Sequence, residues 1–146
     1  MEKTDRSRAS SKIIINAPSD AVWQTISDFG AVCKYSVMVT NCTVEGAGVG
    51  ALRTLTNADG STIVERLEAL DGTARRLSYA LLTDTPFGDC LTTMSVRGLG
   101  PNRTELAWSA SYEPNGLPAS EATDLLQGAL AVNCLALKQY MEADRK

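Results

Sequence analysis

Beyond Asn41 the chain runs in short stretches where apolar and polar side chains alternate, each closed by glycine, asparagine, aspartate or proline. Such alternation predicts strands over residues 42–45, 51–56, 61–69, 76–83, 90–96 and 104–112, with successive side chains on opposite faces. The connections between them, at 46–50, 57–60, 71–72, 86–88 and 98–102, are too short for crossovers, so the strands should form an antiparallel meander. Two stretches carry a helical period instead. Val22, Trp23, Ile26 and Phe29 recur one turn apart after Pro18 and before Gly30. Leu126, Ala129, Asn133, Ala136, Leu137 and Tyr140 share one side of a long helix expected over 120–142. An isoleucine-rich strand over 12–16 precedes the first helix, and a weaker pattern over 31–39 fits a second short one. Strand, helices, meander and long helix together predict the α+β class, a sheet packed against one amphipathic helix.

The face assignments pick out one residue. In Thr62 to Leu70, Glu65 falls on the same face as Ile63, Leu67 and Ala69, an acid on an apolar surface. An ionised carboxylate removed from water must be paired, protonated or turned to a wet cavity. The alternative is a solvated sheet on which Glu65 pairs with Arg53. The same reading sends Leu106, Trp108, Ala110 and Tyr112 inward on one strand and Leu77, Tyr79 and Leu81 inward on another, while Asn133 interrupts the apolar stripe of the last helix. Glu65, Tyr79, Trp108 and Asn133 therefore converge on one interior, as in a small-molecule pocket. Each taken alone has a plainer reading, as core packing with its polar edge satisfied. Arg53 lies across the 57–60 turn from Glu65, where it can pair with that acid, reach a ligand carboxylate or face solvent.

Composition removes several functions. The 146-residue chain has a net charge of -3 and no histidine, which excludes Ser-His-Asp and Cys-His nucleophile systems and imidazole acid-base catalysis. With so little positive charge, nucleic acid is not an expected partner. The four cysteines, Cys33, Cys42, Cys90 and Cys134, lack metal-site spacing and are expected to be reduced; no metal and no cofactor are expected. Glycines 46, 48 and 50 form a hairpin loop, since no parallel strand-helix unit surrounds them to make a dinucleotide site. Residues 1–11 are polar and read as a loose tail before a single domain over 12–144; no signal or membrane-spanning run is evident, which points to a soluble cytoplasmic protein without membrane insertion.

Several local words, in order, resemble the START and Bet v 1-like (SRPBCC) superfamily, the polyketide cyclase/dehydrase and lipid transport family. They are Ala17-Pro18, Val22-Trp23 and Asp28-Phe29, then Val44-Glu45-Gly46, Gly50-Ala51-Leu52-Arg53, Glu65-Arg66-Leu67 with Leu70-Asp71, and Leu77-Ser78-Tyr79. The resemblance implies a helix-grip fold, in which a curved antiparallel sheet wraps the long C-terminal helix around an internal cavity that takes lipids, hormones or polyketides. Within the superfamily, residues 35–44, 65–71 and 131–135 look most like plant abscisic acid receptors and their bacterial relatives, and Glu65 and Asn133 match pocket positions that hold ordered water. The departures argue against a hormone receptor: the hormone-pairing lysine falls at Ser36, a pocket tyrosine at Cys90, and the gate and latch loops become residues 57–61 and 85–88.

The sequence thus favours a non-catalytic carrier or sensor of a small hydrophobic ligand, bound by Glu65, Asn133, Tyr79, Trp108, Arg53, Ser36, Leu67, Cys90 and Ala129. A polyketide cyclase or aromatase using Glu65 as general acid or base, with Tyr79 as a second donor, is the alternative. The lack of a second inward carboxylate weighs against it. A third class is a module acting through a protein partner. A homodimer through the meander edge or the mouth loops is compatible with all three.

Overall fold

A computed structural model describes residues 6–143. The first strand, β1, spans Ser7–Ile15 and is followed by helix α1 (Ser19–Ser27), the single-turn α2 (Val32–Tyr35), strands β2 (Val39–Glu45), β3 (Leu52–Asn57), β4 (Thr62–Asp71), β5 (Arg76–Leu81), β6 (Phe87–Gly100) and β7 (Arg103–Pro114), and helix α3 (Ala119–Ala143). The seven strands form one curved antiparallel sheet in the order β1-β7-β6-β5-β4-β3-β2, open at β1 and β2, with α3 across its concave face. This is the helix-grip arrangement.

The strand expected over 12–16 begins five residues earlier, at Ser7. Residues 7–11 look like tail because they are polar, but they pair in register with β7, from Ser7 opposite Tyr112 to Ser11 opposite Trp108. Ala9 is their single buried apolar side chain, so backbone pairing, which leaves no mark in side-chain composition, holds this half of the strand. Residues 1–5 of the expected tail lie outside the described residues. Phe87 and Gly88 of the expected 86–88 turn are likewise drawn into β6, where Gly88 approaches β7 so closely that a Cβ would stand 2.9 Å from the Glu113 carbonyl oxygen. The 46–50 hairpin loop is as expected, with positive φ at glycines 46, 48 and 50.

Inward side chains alternate along β6 and β7: Cys90, Thr92, Met94 and Val96 on one, Thr104, Leu106, Trp108, Ala110 and Tyr112 on the other. The fully buried Thr104 donates its hydroxyl to the Ala17 carbonyl at 2.7 Å, tying the start of α1 to the sheet. From α3, Ala122, Leu130, Cys134 and Leu137 close the core. Alternation fails at one expected place. A bulge in β4 sets Leu67 opposite Tyr79 but Ala69 opposite Ser78, so Glu68 is an extra residue and Ala69 turns outward.

Candidate functional site

The space between sheet and α3 is not filled. A cavity of about 370 Å³ lies there, and six of the nine residues expected to contact a ligand line it: Glu65, Tyr79, Cys90, Trp108, Ala129 and Asn133. Its roof comes from Leu126, Ala129, Leu130 and Asn133, a stripe at i, i+3, i+4 and i+7 along α3. Pro86, just before β6, and Phe87, the first residue of β6, also line it.

Glu65 is not solitary. On adjacent strands and directly in register, Arg53 and Glu65 are only 4% and 8% exposed. The Arg53 Nε and Nη2 both lie 2.8 Å from Glu65 Oε1, and its Nη1 donates to the Phe29 carbonyl oxygen at 3.0 Å. The guanidinium carbon sits 4.0 Å from the Phe29 ring centroid and 4.6 Å from that of Tyr79. Arg53 is therefore a buried clamp, neither solvent-facing nor a wall of the cavity. It locks Phe29, two residues beyond α1, to the middle of the sheet.

Both guanidinium contacts fall on one carboxylate oxygen. Glu65 Oε2 has no hydrogen-bond partner among the described residues, and none of their fully buried side-chain polar atoms is unpaired, so Oε2 is open to the cavity that Glu65 lines. Burial pushes the Glu65 carboxyl upward, while the charge and hydrogen bond of Arg53 oppose that shift. An arginine does not give up its proton, and protonating Glu65 would leave that cation buried and unpaired, so the two form an ion pair at neutral pH.

Two further groups are fixed in orientation by their neighbours. Trp108 Nε1 donates to Tyr79 Oη at 3.2 Å, which leaves the phenolic proton free to be donated. Ser36 Oγ accepts from the Met38 amide and donates to Asn133 Oδ1, both at 3.3 Å, which leaves the Asn133 amide nitrogen as a donor. Ser36 therefore acts behind Asn133 and does not line the cavity. Leu67 also stands apart from it, packed in the core beyond Tyr79 and bordering a separate hollow with Phe29 and Gly48. Thr92, buried and inward on β6, is a lining residue that the sequence reading missed, although alternation from Cys90 to Val96 points to it. Cys90 and Thr92 complete one wall; burial raises the Cys90 thiol pKa, so it stays protonated. Among the described residues no cluster of His, Cys, Asp or Glu is placed to hold a metal, and no helix is long and apolar enough to cross a membrane.

The tyrosines beside the ion pair are sensitive to alkali. Burial raises Tyr35 from 10.0 to about 12, with the Arg53 charge opposing and the Glu65 charge reinforcing. A group whose pKa is higher in the folded state stabilises the fold below its unfolded pKa and loses that contribution as pH rises through the folded value. Between pH 10 and about 12 the protein should therefore lose up to about 2–3 kcal/mol more stability than a Tyr35→Phe variant. Urea unfolding at pH 8, 10 and 11.5 measures the difference, and parallel losses would mean that Tyr35 ionises without opening the core.

Comparison with known proteins agrees with this geometry. The family described as polyketide cyclase/dehydrase and lipid transport matches residues 6–142. Among solved structures, an uncharacterised Bacillus thuringiensis protein is 26% identical, with 92% of this chain and 98% of that one covered at a TM-score of 0.86. The Zhui aromatase/cyclase of a Streptomyces species is 17% identical, with 97% of each chain covered at a TM-score of 0.81. A START superfamily protein of Mycobacterium smegmatis, also 17% identical, covers 95% of this chain and 99% of its own at a TM-score of 0.80; at that identity the likeness to both is one of fold. A curved sheet gripping a terminal helix, with a cavity between them, and a family match over nearly the whole length make this chain a member of the polyketide cyclase/dehydrase and lipid transport family.

Proposed function

We propose that the protein binds one small hydrophobic molecule in the cavity beneath α3 as a non-catalytic carrier or sensor. The observation that carries this reading is the make-up of the cavity: apolar walls of Ile63, Leu81, Phe87, Trp108 and Leu130 around three oriented polar groups. Glu65 Oε2 offers an acceptor, and Tyr79 and Asn133 offer donors. A fitting ligand is a lipid-, polyketide- or isoprenoid-type molecule with a hydroxyl for Glu65 and a carbonyl or ether oxygen for Tyr79 or Asn133. At about 370 Å³ the space suits a compact molecule, near the lower end of known ligand sites.

The cyclase reading rests on the same Glu65. Against it, Arg53 holds that carboxylate as an anion, which removes a general acid and weakens a base, and among the described residues no second carboxylate lines the cavity. Native mass spectrometry of freshly purified protein tests for binding by looking for a co-purified mass that leaves on denaturation. With the released compound in hand, Glu65→Gln separates the readings. A binder should change affinity roughly tenfold and leave the compound chemically unaltered, whereas a catalyst should convert it and lose turnover by about a hundredfold or more. Protein that repeatedly emerges empty and takes up no apolar probe would end the proposal.

A further inference from the structure

The opposite face of the sheet carries a second feature that the interior cavity does not account for. Outward side chains there form a row of hydroxyls across four strands: Ser10 on β1 stands opposite Ser109 on β7, Ser109 opposite Thr93 on β6, and Thr93 opposite Ser78 on β5. Small residues in register make a shallow floor on a surface that long side chains usually cover. An arginine brackets the row on each side. Arg8 lies on β1 in the cross-strand line of Ser111 and Leu91, while Arg76 lies on β5 in the line of Ser95. Both line one hollow of about 390 Å³ with Ser10, Thr93, Ser109 and Ser111.

Charge distinguishes this hollow from its neighbour. The adjoining one is lined by Arg6 and Arg66, but it also holds Asp89 and Glu68, with which those arginines pair. Among the described residues, no acid lines the hollow of Arg8 and Arg76, and neither arginine has an ion-pair partner. Asp71 stands in register with Arg76 but makes no ion pair with it, its Oδ1 accepting the Thr73 and Ala74 amides, and the Thr93 hydroxyl is shared with Ser78 at 3.0 Å. Two guanidinium forks without ion-pair partners beside hydroxyls suit an oxyanion with two charges and several acceptor oxygens. The hollow is larger than such a group alone, and the 40%-exposed Leu91 gives it an apolar side.

We infer that the outer face of the sheet binds a phosphate monoester attached to a small organic group, through Arg8 and Arg76 with Ser10, Thr93 and Ser109 beneath. Such a group occurs on soluble phosphorylated metabolites and on a phosphatidate headgroup. The site is independent of the interior cavity.

The test is an amide chemical-shift titration of the full chain with phenyl phosphate, and with benzyl alcohol as the uncharged control. Saturable shifts at Ser10, Thr93 and Ser109 with phenyl phosphate alone are expected, weakened about tenfold or more by Arg8→Gln or Arg76→Gln and by raising salt. Both substitutions lie on the exposed face, and an unchanged melting temperature confirms that the fold is intact. Cosedimentation with phosphatidylcholine vesicles containing phosphatidic acid, set against titration with glycerol phosphate, distinguishes a headgroup from a free metabolite. Equal shifts with benzyl alcohol, no saturation, or variants that bind as the parent does would overturn the assignment. Interior-cavity binding, read by an apolar dye, should be the same in the parent and both variants.

Discussion

Arg53→Ala should cost about 3–5 kcal/mol of folding stability at neutral pH, because it strands Glu65 as an unpaired anion that is only 8% exposed. The lost contacts to the Phe29 carbonyl and to the two rings add to this. The pH dependence separates the terms. Desolvation already lifts the Glu65 carboxyl above its ordinary 4.5, and removing Arg53 takes away the opposing charge, so the folded-state pKa climbs further. A carboxyl with a raised folded-state pKa is harmless below its unfolded pKa and destabilises increasingly as pH rises through the folded one. The penalty should therefore be smaller at pH 4.5 than at pH 7.5, and adding Glu65→Gln should recover much of the neutral-pH loss. Urea midpoints of the parent, single and double variants at both pH values measure it. A pH-independent penalty would assign the whole effect to packing.

Filling the cavity is the second decisive change. Ala129 sits in the roof stripe, half-buried, one turn before Asn133 on α3, and lines the open space. Ala129→Trp places an indole where the ligand should lie, and uptake of an apolar fluorescent dye should fall by about a hundredfold or more. Because there is room, the fold should survive at a cost of no more than about 1–3 kcal/mol. A cooperative thermal melt with an unchanged far-ultraviolet spectrum establishes that point. If the variant takes up the dye as well as the parent does, the dye binds elsewhere.

Much of the fold is written in side-chain period. The six meander strands and α3 sit where alternation and helical spacing put them, because all but β2, whose Val39 and Cys42 are only half-buried, bury one face and leave the other to solvent. What was hidden lies in the backbone. Ser7–Ser11 joins the sheet without an apolar signature, and the β4 bulge turns Ala69 out of a face that strict alternation would give it. For the site, alternation on β4, β5 and β7 and the stripe on α3 brought Glu65, Tyr79, Trp108 and Asn133 to one cavity. The misplaced residues, Arg53, Ser36 and Leu67, share a cause. Each stands beside a lining group, and sequence spacing cannot distinguish a wall from the residue that braces it. The Arg53 clamp was legible as a pairing across the hairpin, but not as a sandwich between rings, since Phe29 reaches it from a different element.

The opening strand is held by partners roughly a hundred positions further along the chain. Ser7 meets Tyr112, Gln127 reaches the Ser10 backbone, and Lys138 caps the Ile14 carbonyl, so β1 meets its strand partner only once β7 is made and its last backbone contacts only with α3. Until α3 is made the sheet has no lid, and its oily side is bare. Closure of such distant partners is slow, and during synthesis the protein should lean on chaperones until α3 emerges.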